Sequence, residues 1–217
     1  MDIKKLLELA KIKPNKELDQ HFLQDDKILD EEVRLAGLTK KDTVLEVGGG
    51  IGNLTIRLSK KAKVIVIERD FSFSRILKQI ENTDLILGDA LQILESMRGK
   101  VAFTKIVSNI PYSISQDLLL EFFRHKWDTA VLVVQKEFAE KLVSKERLGM
   151  VMSDIADIKI AREVPAGAFY PTAVPSSIVV LRQKKQLDDK FWSFLLTLKP
   201  NKDVDSVIKK APSNLKK

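Results

Sequence analysis

Cysteine is absent from the 217 residues, and histidine occurs only twice, as His21 and His125. The first absence excludes disulfides and thiolate metal sites. The second excludes a histidine-rich cluster, so no metal is expected. The lack of cysteine also points to an intracellular, cytoplasmic protein. Long apolar runs are missing as well. Those present, such as residues 130–134, have strand length, far below the ~20 residues of a membrane helix. Residues 1–9 alternate charge with leucine and lack the apolar core of a signal peptide. No internal repeat or low-complexity segment is present.

What is there suits one main domain with at most a small appendage. Hydrophobic residues make up 44% and charged residues 31%, enough apolar surface for a core. The net charge of +7 is unevenly placed: residues 182–217 hold 10 basic and 4 acidic side chains, a net of +6, which leaves +1 for the rest. A basic tail beside a neutral domain suits either a polyanionic partner, whose counterions Lys and Arg release, or a solubilising surface.

Apolar spacing predicts helices over 3–11 and 25–37, the first broken by Pro14 and Asn15, the second closed by Gly37. Short apolar strands then alternate with helices. Strands are expected at 43–47, 64–68, 84–87, 105–108 and 130–135. Helices are expected at 54–60, 76–80, 90–97, 113–123 and 136–143. Such strands need cover on both faces, so the pattern implies a parallel sheet. Residues 151–164 and 176–182 read as two further strands forming an antiparallel hairpin. The fold class is thus α/β: a mostly parallel seven-stranded sheet with an antiparallel last strand.

The strongest local signal is a strand running into glycines and then a helix, from Val44 through Glu46, Gly48, Gly50 and Gly52 to Thr55. The dinucleotide fingerprint requires a third glycine where Asn53 or Thr55 stands, so it fails in both registers. What remains is E-x-G-x-G-x-G, which resembles methyltransferases that bind S-adenosylmethionine. An acid before the turn suits an ammonium group. Glu68 follows at the next strand's tip, 22 residues on, where a carboxylate can accept both ribose hydroxyls. Asp89 follows the third strand and can accept from an adenine amine. Each acid alone also fits a helix cap or a solvated loop. Their shared place at consecutive strand ends favours one cofactor site.

The fourth strand ends in Asn109-Ile110-Pro111-Tyr112. Adenine N6 is a poor nucleophile because its lone pair is delocalised into the ring. Two acceptors can hold its protons and turn the lone pair toward a methyl donor. The Asn109 amide oxygen supplies one. The Ile110 carbonyl supplies the other, held extended by Pro111. Tyr112 offers a stacking face. An ordinary strand-to-helix turn is the competing reading of the same tetrad.

With both motifs present, residues 15–198 resemble the KsgA family of ribosomal RNA adenine dimethyltransferases, a sister group of the Erm enzymes, in an archaeal-type form with a shortened C-terminal domain. The resemblance includes Asp19-Gln20-His21-Phe22-Leu23, and implies that His21 and Leu23 contact the cofactor, along with Gly48, Glu68, Asp89 and Asn109. It extends to the block 169–177, where Phe169 would stack opposite Tyr112. There Ala173 and Pro175 depart from the family pattern F-x-P-x-P-x-V-x-S.

The resemblance implies a Rossmann-like class I methyltransferase domain over 1–183 and a short basic helical appendage over 184–217, its helix resembling the family's at 191–210. It also implies a loop at 144–148 that is shorter than usual. The implied activity is dimethylation of N6 on two adjacent adenines near the 3′ end of small-subunit (16S) ribosomal RNA. S-adenosylmethionine would be the cofactor and the small-subunit precursor the partner of a monomeric protein. Two rivals share these motifs: an Erm-type methyltransferase of large-subunit RNA, and a non-catalytic ribosome-assembly factor on the same fold.

Overall fold

The computed structural model describes residues 3–187. The order is α1 (Ile3–Ala10), β1 (Phe22–Leu23), α2 (Asp26–Ala36), β2 (Thr43–Val47), α3 (Thr55–Ser59), β3 (Lys63–Glu68), α4 (Ser74–Leu77), β4 (Thr83–Leu87), α5 (Ala90–Met97), β5 (Lys105–Asn109), α6 (Ser115–Phe122), β6 (Thr129–Gln135), α7 (Lys136–Val143), α8 (Arg147–Ile155), β7 (Ala156–Val164), β8 (Phe169–Tyr170) and β9 (Ser176–Gln183). The helix and basic tail expected beyond residue 187 lie outside the described residues. No helix among the described residues is long and apolar enough to cross a membrane.

Seven strands form one sheet in the order β4-β3-β2-β5-β6-β9-β7. The first five are parallel, and β9 runs antiparallel to both β6 and β7. The sheet's two faces each carry a core. On β2, Leu45 and Val47 face one side and Val44 the other; on β6, Ala130, Leu132 and Val134 oppose Val131 and Val133. Helices α5 to α8 cover the first face through Leu94, Leu118, Phe122, Leu142 and Met152, and α1 to α4 cover the second through Leu7, Ile28, Leu29, Leu58 and Leu77. This double burial is why the strands read as continuous apolar runs rather than alternating ones.

Local signals act as expected at α2. The Asp25 side chain accepts from the Lys27 and Ile28 amides, and Gly37 closes the helix at φ +58°. Two expectations change. Residues 151–155 are not strand but the end of α8. Leu148, Met152 and Ile155 recur at helical spacing and pack on the core, and extended backbone starts only at Ala156. Gly149 admits α8 against the end of α7, because a Cβ there would lie 2.1 Å from the Ser144 carbonyl oxygen. The helix expected at 76–80 starts earlier, as Asp70 accepts from the Ser72 amide and initiates a 3-10 turn that runs into α4.

Candidate active site

The carboxyl ends of β2, β3, β4 and β5 meet at one edge of the sheet and surround a cleft of about 1130 Å³, mouth included. Open α/β sheets bind ligands at this edge. The glycine turn forms its floor. Gly48 has φ +82°, a left-handed conformation that other residues rarely adopt, and Gly48 N donates to the Ile67 carbonyl at 2.8 Å. At Gly49 space decides instead: a Cβ would lie 2.6 Å from Val66 Cγ1.

Of the carboxyls that line the cleft, those of Glu46, Glu68 and Asp89 stand at the strand ends, and each is set differently. Glu68, 7% exposed, accepts from the Gly50 amide at 2.8 Å and the Asp70 amide at 2.7 Å. Burial nevertheless holds its carboxyl above the usual range. It keeps lone pairs for further donors, since a carboxylate offers about four acceptor sites. Asp89 caps α5, with Oδ1 accepting from the Leu91 and Gln92 amides at 3.0 and 3.3 Å. The capping and cofactor readings of Asp89 are therefore compatible, because Oδ2 is not used in the cap. Glu46 is 1% exposed, and its Oε2 has no hydrogen-bond partner. Burial raises its pKa to about 8; the Thr55 hydroxyl opposes the shift, and the neighbouring Glu68 adds to it.

A stability consequence follows for Glu46. Its folded pKa lies above the unfolded one, so the folded chain holds the proton more tightly. Its contribution is present below about pH 4.5 and is lost as pH rises through about 8. Glu46→Gln cannot ionise, so it should be more stable than the parent at pH 9, by roughly a few kcal/mol, with a smaller difference at pH 5. Thermal melts at the two pH values test this. Equal differences at both would place Glu46 in contact with solvent.

The tetrad occupies the end of β5 and the turn after it. Ser108 Oγ donates to the Val47 carbonyl at 2.7 Å, tying β5 to β2 just before Asn109. Asn109 lines the cleft, and its amide oxygen has no partner. Ile110 is buried. Pro111 is extended, with ψ 132°, and its carbonyl accepts from Ser115 Oγ at 3.0 Å. Tyr112 donates its hydroxyl to Ser176 Oγ at 2.9 Å, which in turn donates to the Val174 carbonyl at 3.0 Å. The start of β9, far away in sequence, thereby fixes the ring. Burial raises the Tyr112 pKa, so the phenol stays neutral.

The N-terminal block folds over this edge. Strand β1 pairs with β8, placing Phe22 opposite Tyr170 and Leu23 opposite Phe169. His21 Nδ1 donates to the Pro171 carbonyl at 3.0 Å, and its ring lies parallel to Tyr112 with centroids 6.3 Å apart. Asp19 accepts from the Ser113 amide at 2.8 Å, and Gln20 donates to Asp70 at 2.7 Å. The block thus bridges the tetrad and the tip of β3. His21, Leu23, Gly48, Glu68, Asp89, Asn109, Ile110, Pro111, Tyr112 and Phe169 all line the one cleft. Phe169 is 3% exposed, and the ring parallel to Tyr112 is His21.

Sequence reasoning missed the clamps made by Asp19 and Gln20. Both lay inside the recognised block, but only the fold supplies their partners.

An S-adenosylmethionine molecule presents an ammonium, a sulfonium, a ribose diol and an adenine amine, all cationic or donating groups. The cleft offers carboxyls at three strand ends and an unpartnered buried oxygen on Glu46. The residues present fit that group.

Comparison with known proteins agrees with this geometry. "Probable ribosomal RNA small subunit methyltransferase A" of Thermococcus gammatolerans is 38% identical over 186 residues, covering 81% of this chain and 65% of that one. The protein of the same name in Methanosarcina mazei is 42% identical over 173 residues, covering 75% and 62%. The chain therefore spans slightly less than two thirds of these relatives' length. A dimethyladenosine transferase from Plasmodium falciparum superposes with a TM-score of 0.71 at 29% identity, covering 88% of this chain and 76% of that one. The 23S rRNA methyltransferase ErmE shares the fold, with a TM-score of 0.67 at 23% identity, covering 88% and 85%. The family model for ribosomal RNA adenine dimethylase matches residues 11–209, nearly the whole chain, and the chain belongs to that family.

Proposed function

We propose that this protein uses S-adenosylmethionine to dimethylate N6 of two adjacent adenines near the 3′ end of small-subunit ribosomal RNA, acting as a monomer on the small-subunit precursor. The observation that carries the reading is the place of Asn109-Ile110-Pro111-Tyr112. The tetrad ends the strand beside the glycine turn, in the same cleft as Glu46, Glu68 and Asp89.

In this reading the three carboxyls hold the cofactor's cationic and donating groups. Glu46 gives up its proton to face the ammonium, and Glu68 accepts from the ribose. When bound, the cofactor supplies an electrophilic methyl on a sulfonium, which becomes a neutral thioether as the carbon–nitrogen bond forms. Asn109 Oδ1 and the Ile110 carbonyl accept the two N6 protons and aim the lone pair. The nitrogen sheds one proton to water after the methyl arrives, so no side chain has to act as a general base. Tyr112 offers the base a stacking face, which offsets part of the few kcal/mol of unstacking. Catalysis comes from positioning and preorganised acceptors.

Methyl transfer from labelled cofactor to purified subunits of each size tests the proposal. Label on the small subunit is expected, and label confined to the large subunit would favour an Erm-type activity. The cofactor part is tested by Glu68→Ala, which should weaken S-adenosylmethionine binding by about 1–3 kcal/mol in calorimetry, since a charged acceptor is lost. An unchanged dissociation constant would return Glu68 to a role in the glycine turn alone.

A further inference from the structure

The stretch that leads into the cleft carries an excess of positive charge. Residues 3–18 hold five exposed lysines, Lys4, Lys5, Lys11, Lys13 and Lys16, against the two acids Glu8 and Glu17. Several lysines elsewhere are neutralised: Lys63 pairs with Asp84 at 2.8 Å, Lys136 with Glu163 at 2.8 Å and Lys184 with Asp157 at 2.6 Å. Lys11, Lys13 and Lys16 form no ion pair among the described residues. The stretch is anchored all the same. Helix α1 buries Ile3 and Leu7, and Ile12 packs on the same core. Lys11, at φ +57°, closes the helix, and the Ile12 amide donates back to the Leu7 carbonyl at 2.9 Å. The lysines thus hold fixed places on the way to the cleft's lip, Glu17 to Gln20.

Gln20 joins this stretch to the tip of β3. Its Oε1 accepts from the Asn15 amide at 2.7 Å, and its Nε2 donates to Asp70 Oδ2 at 2.7 Å. One side-chain amide therefore sets Lys16, next to Asn15, on one rim with Arg69 and Phe71, the two neighbours of Asp70. Arg69 is exposed, lines the cleft and forms no ion pair among the described residues. Phe71 is 66% exposed, yet its turn is held: Asp70 accepts from the Ser72 amide at 2.9 Å, and Phe73 is buried. A lone exposed apolar residue is ordinary. An aromatic face among free cations is the combination that grips single-stranded nucleic acid, the bases stacking while the cations take the phosphates. An anionic lipid surface would also attract the lysines and Leu9, which is 73% exposed. A strand is favoured because the cationic rim runs into the cleft itself, through Arg69, and because Phe71 offers a flat face beside it.

We infer that this rim is a docking track for the unpaired RNA that flanks the target adenine: Lys11, Lys13, Lys16 and Arg69 take its phosphates, and Phe71 stacks one of its bases. Phosphate contacts carry no sequence information, so the track holds the strand in register rather than choosing its sequence. The identity of the strand rests on the proposed methyl transfer, but binding to the rim is measured without it.

The probe is a fluorescein-labelled single-stranded oligoadenylate of about 10 nucleotides, within the span that one such groove covers. Its anisotropy is titrated with the full chain at several salt concentrations. Combining Lys11→Gln, Lys13→Gln and Lys16→Gln should weaken binding and flatten the log–log salt slope by roughly 2, at about 0.7 for each phosphate contact on a single strand. Phe71→Ala should weaken binding roughly 5- to 100-fold and leave the slope unchanged, because stacking releases no counterions. All four residues are exposed, so both variants should melt near the parent.

A parent that does not bind the oligomer, a parental salt slope in the lysine variant, or parental affinity in Phe71→Ala would each overturn the inference. So would a Phe71→Ala variant that loses S-adenosylmethionine and keeps the oligomer, or a lysine variant that loses phosphatidylglycerol vesicles and keeps the oligomer. If the parent binds the oligomer as expected yet methylates neither ribosomal subunit, the proposed function fails and the track stands.

Discussion

Asn109→Ala should lower single-turnover methyl transfer by about 100- to 1,000-fold while leaving the fold and most of the cofactor affinity in place. Asn109 ends β5 beside the glycine turn, and its amide oxygen has no partner within the protein. Alanine cannot accept an N6 proton, so the lone pair is no longer steered. No cavity of consequence forms, because the residue lines an open cleft. Asn109→Asp is the informative partner. It restores an acceptor of equal size but adds a carboxyl to a region that already holds Glu46. A negative charge there favours the cationic ground state over the transition state, in which the sulfonium charge is dispersing. Aspartate should therefore keep some activity and alanine almost none. Alanine turning over near the parental rate would contradict the catalytic reading and favour a non-catalytic assembly factor.

Phe73→Ala should produce the largest loss of stability. Phe73 is 0% exposed, belongs to the α1–α4 core, and packs edge-on against Phe22 with ring centroids 5.7 Å apart. Phe22 in turn covers the glycine turn: a Cβ on Gly50 would lie 3.0 Å from its ring. Removing a buried phenylalanine typically costs about 3–5 kcal/mol in lost transfer and residual cavity. In a chain of this size that lowers the midpoint by roughly 6–20 °C. The N-terminal block also loses its support, so cofactor affinity should fall at temperatures where the fold persists. A calorimetric melt and a binding isotherm check both. A shift below about 2 °C would mean that the block repacks freely over the gap.

The fold was largely legible because double burial writes a simple pattern: short apolar strands, glycine or acid at each tip, helices between. The meeting of Glu46, Glu68 and Asp89 in one cleft was legible for the same reason, since they stand at the carboxyl ends of β2, β3 and β4. Three things were not. The stretch 151–155 passes for the start of a strand, and only its packing on α7 as part of α8 reveals a helix. The β1–β8 pair has two residues in each strand, and Leu23 meets Phe169 across a separation that no local pattern can encode. Glu32 stands in the run Asp30-Glu31-Glu32, which reads as one solvated face. Asp30 does pair with Arg57, and Glu31 with Arg162, yet helical rotation turns the third acid into the core. A charge run conceals the member that faces inward.

The account stands most directly on the product. Small subunits treated with the purified protein and S-adenosylmethionine can be digested to nucleosides, with the modified positions mapped by mass spectrometry. The account predicts N6,N6-dimethyladenosine at two adjacent adenines near the 3′ end of the small-subunit RNA, absent when Asn109→Ala replaces the parent. Methyl groups on another atom, or only on large-subunit RNA, would contradict it.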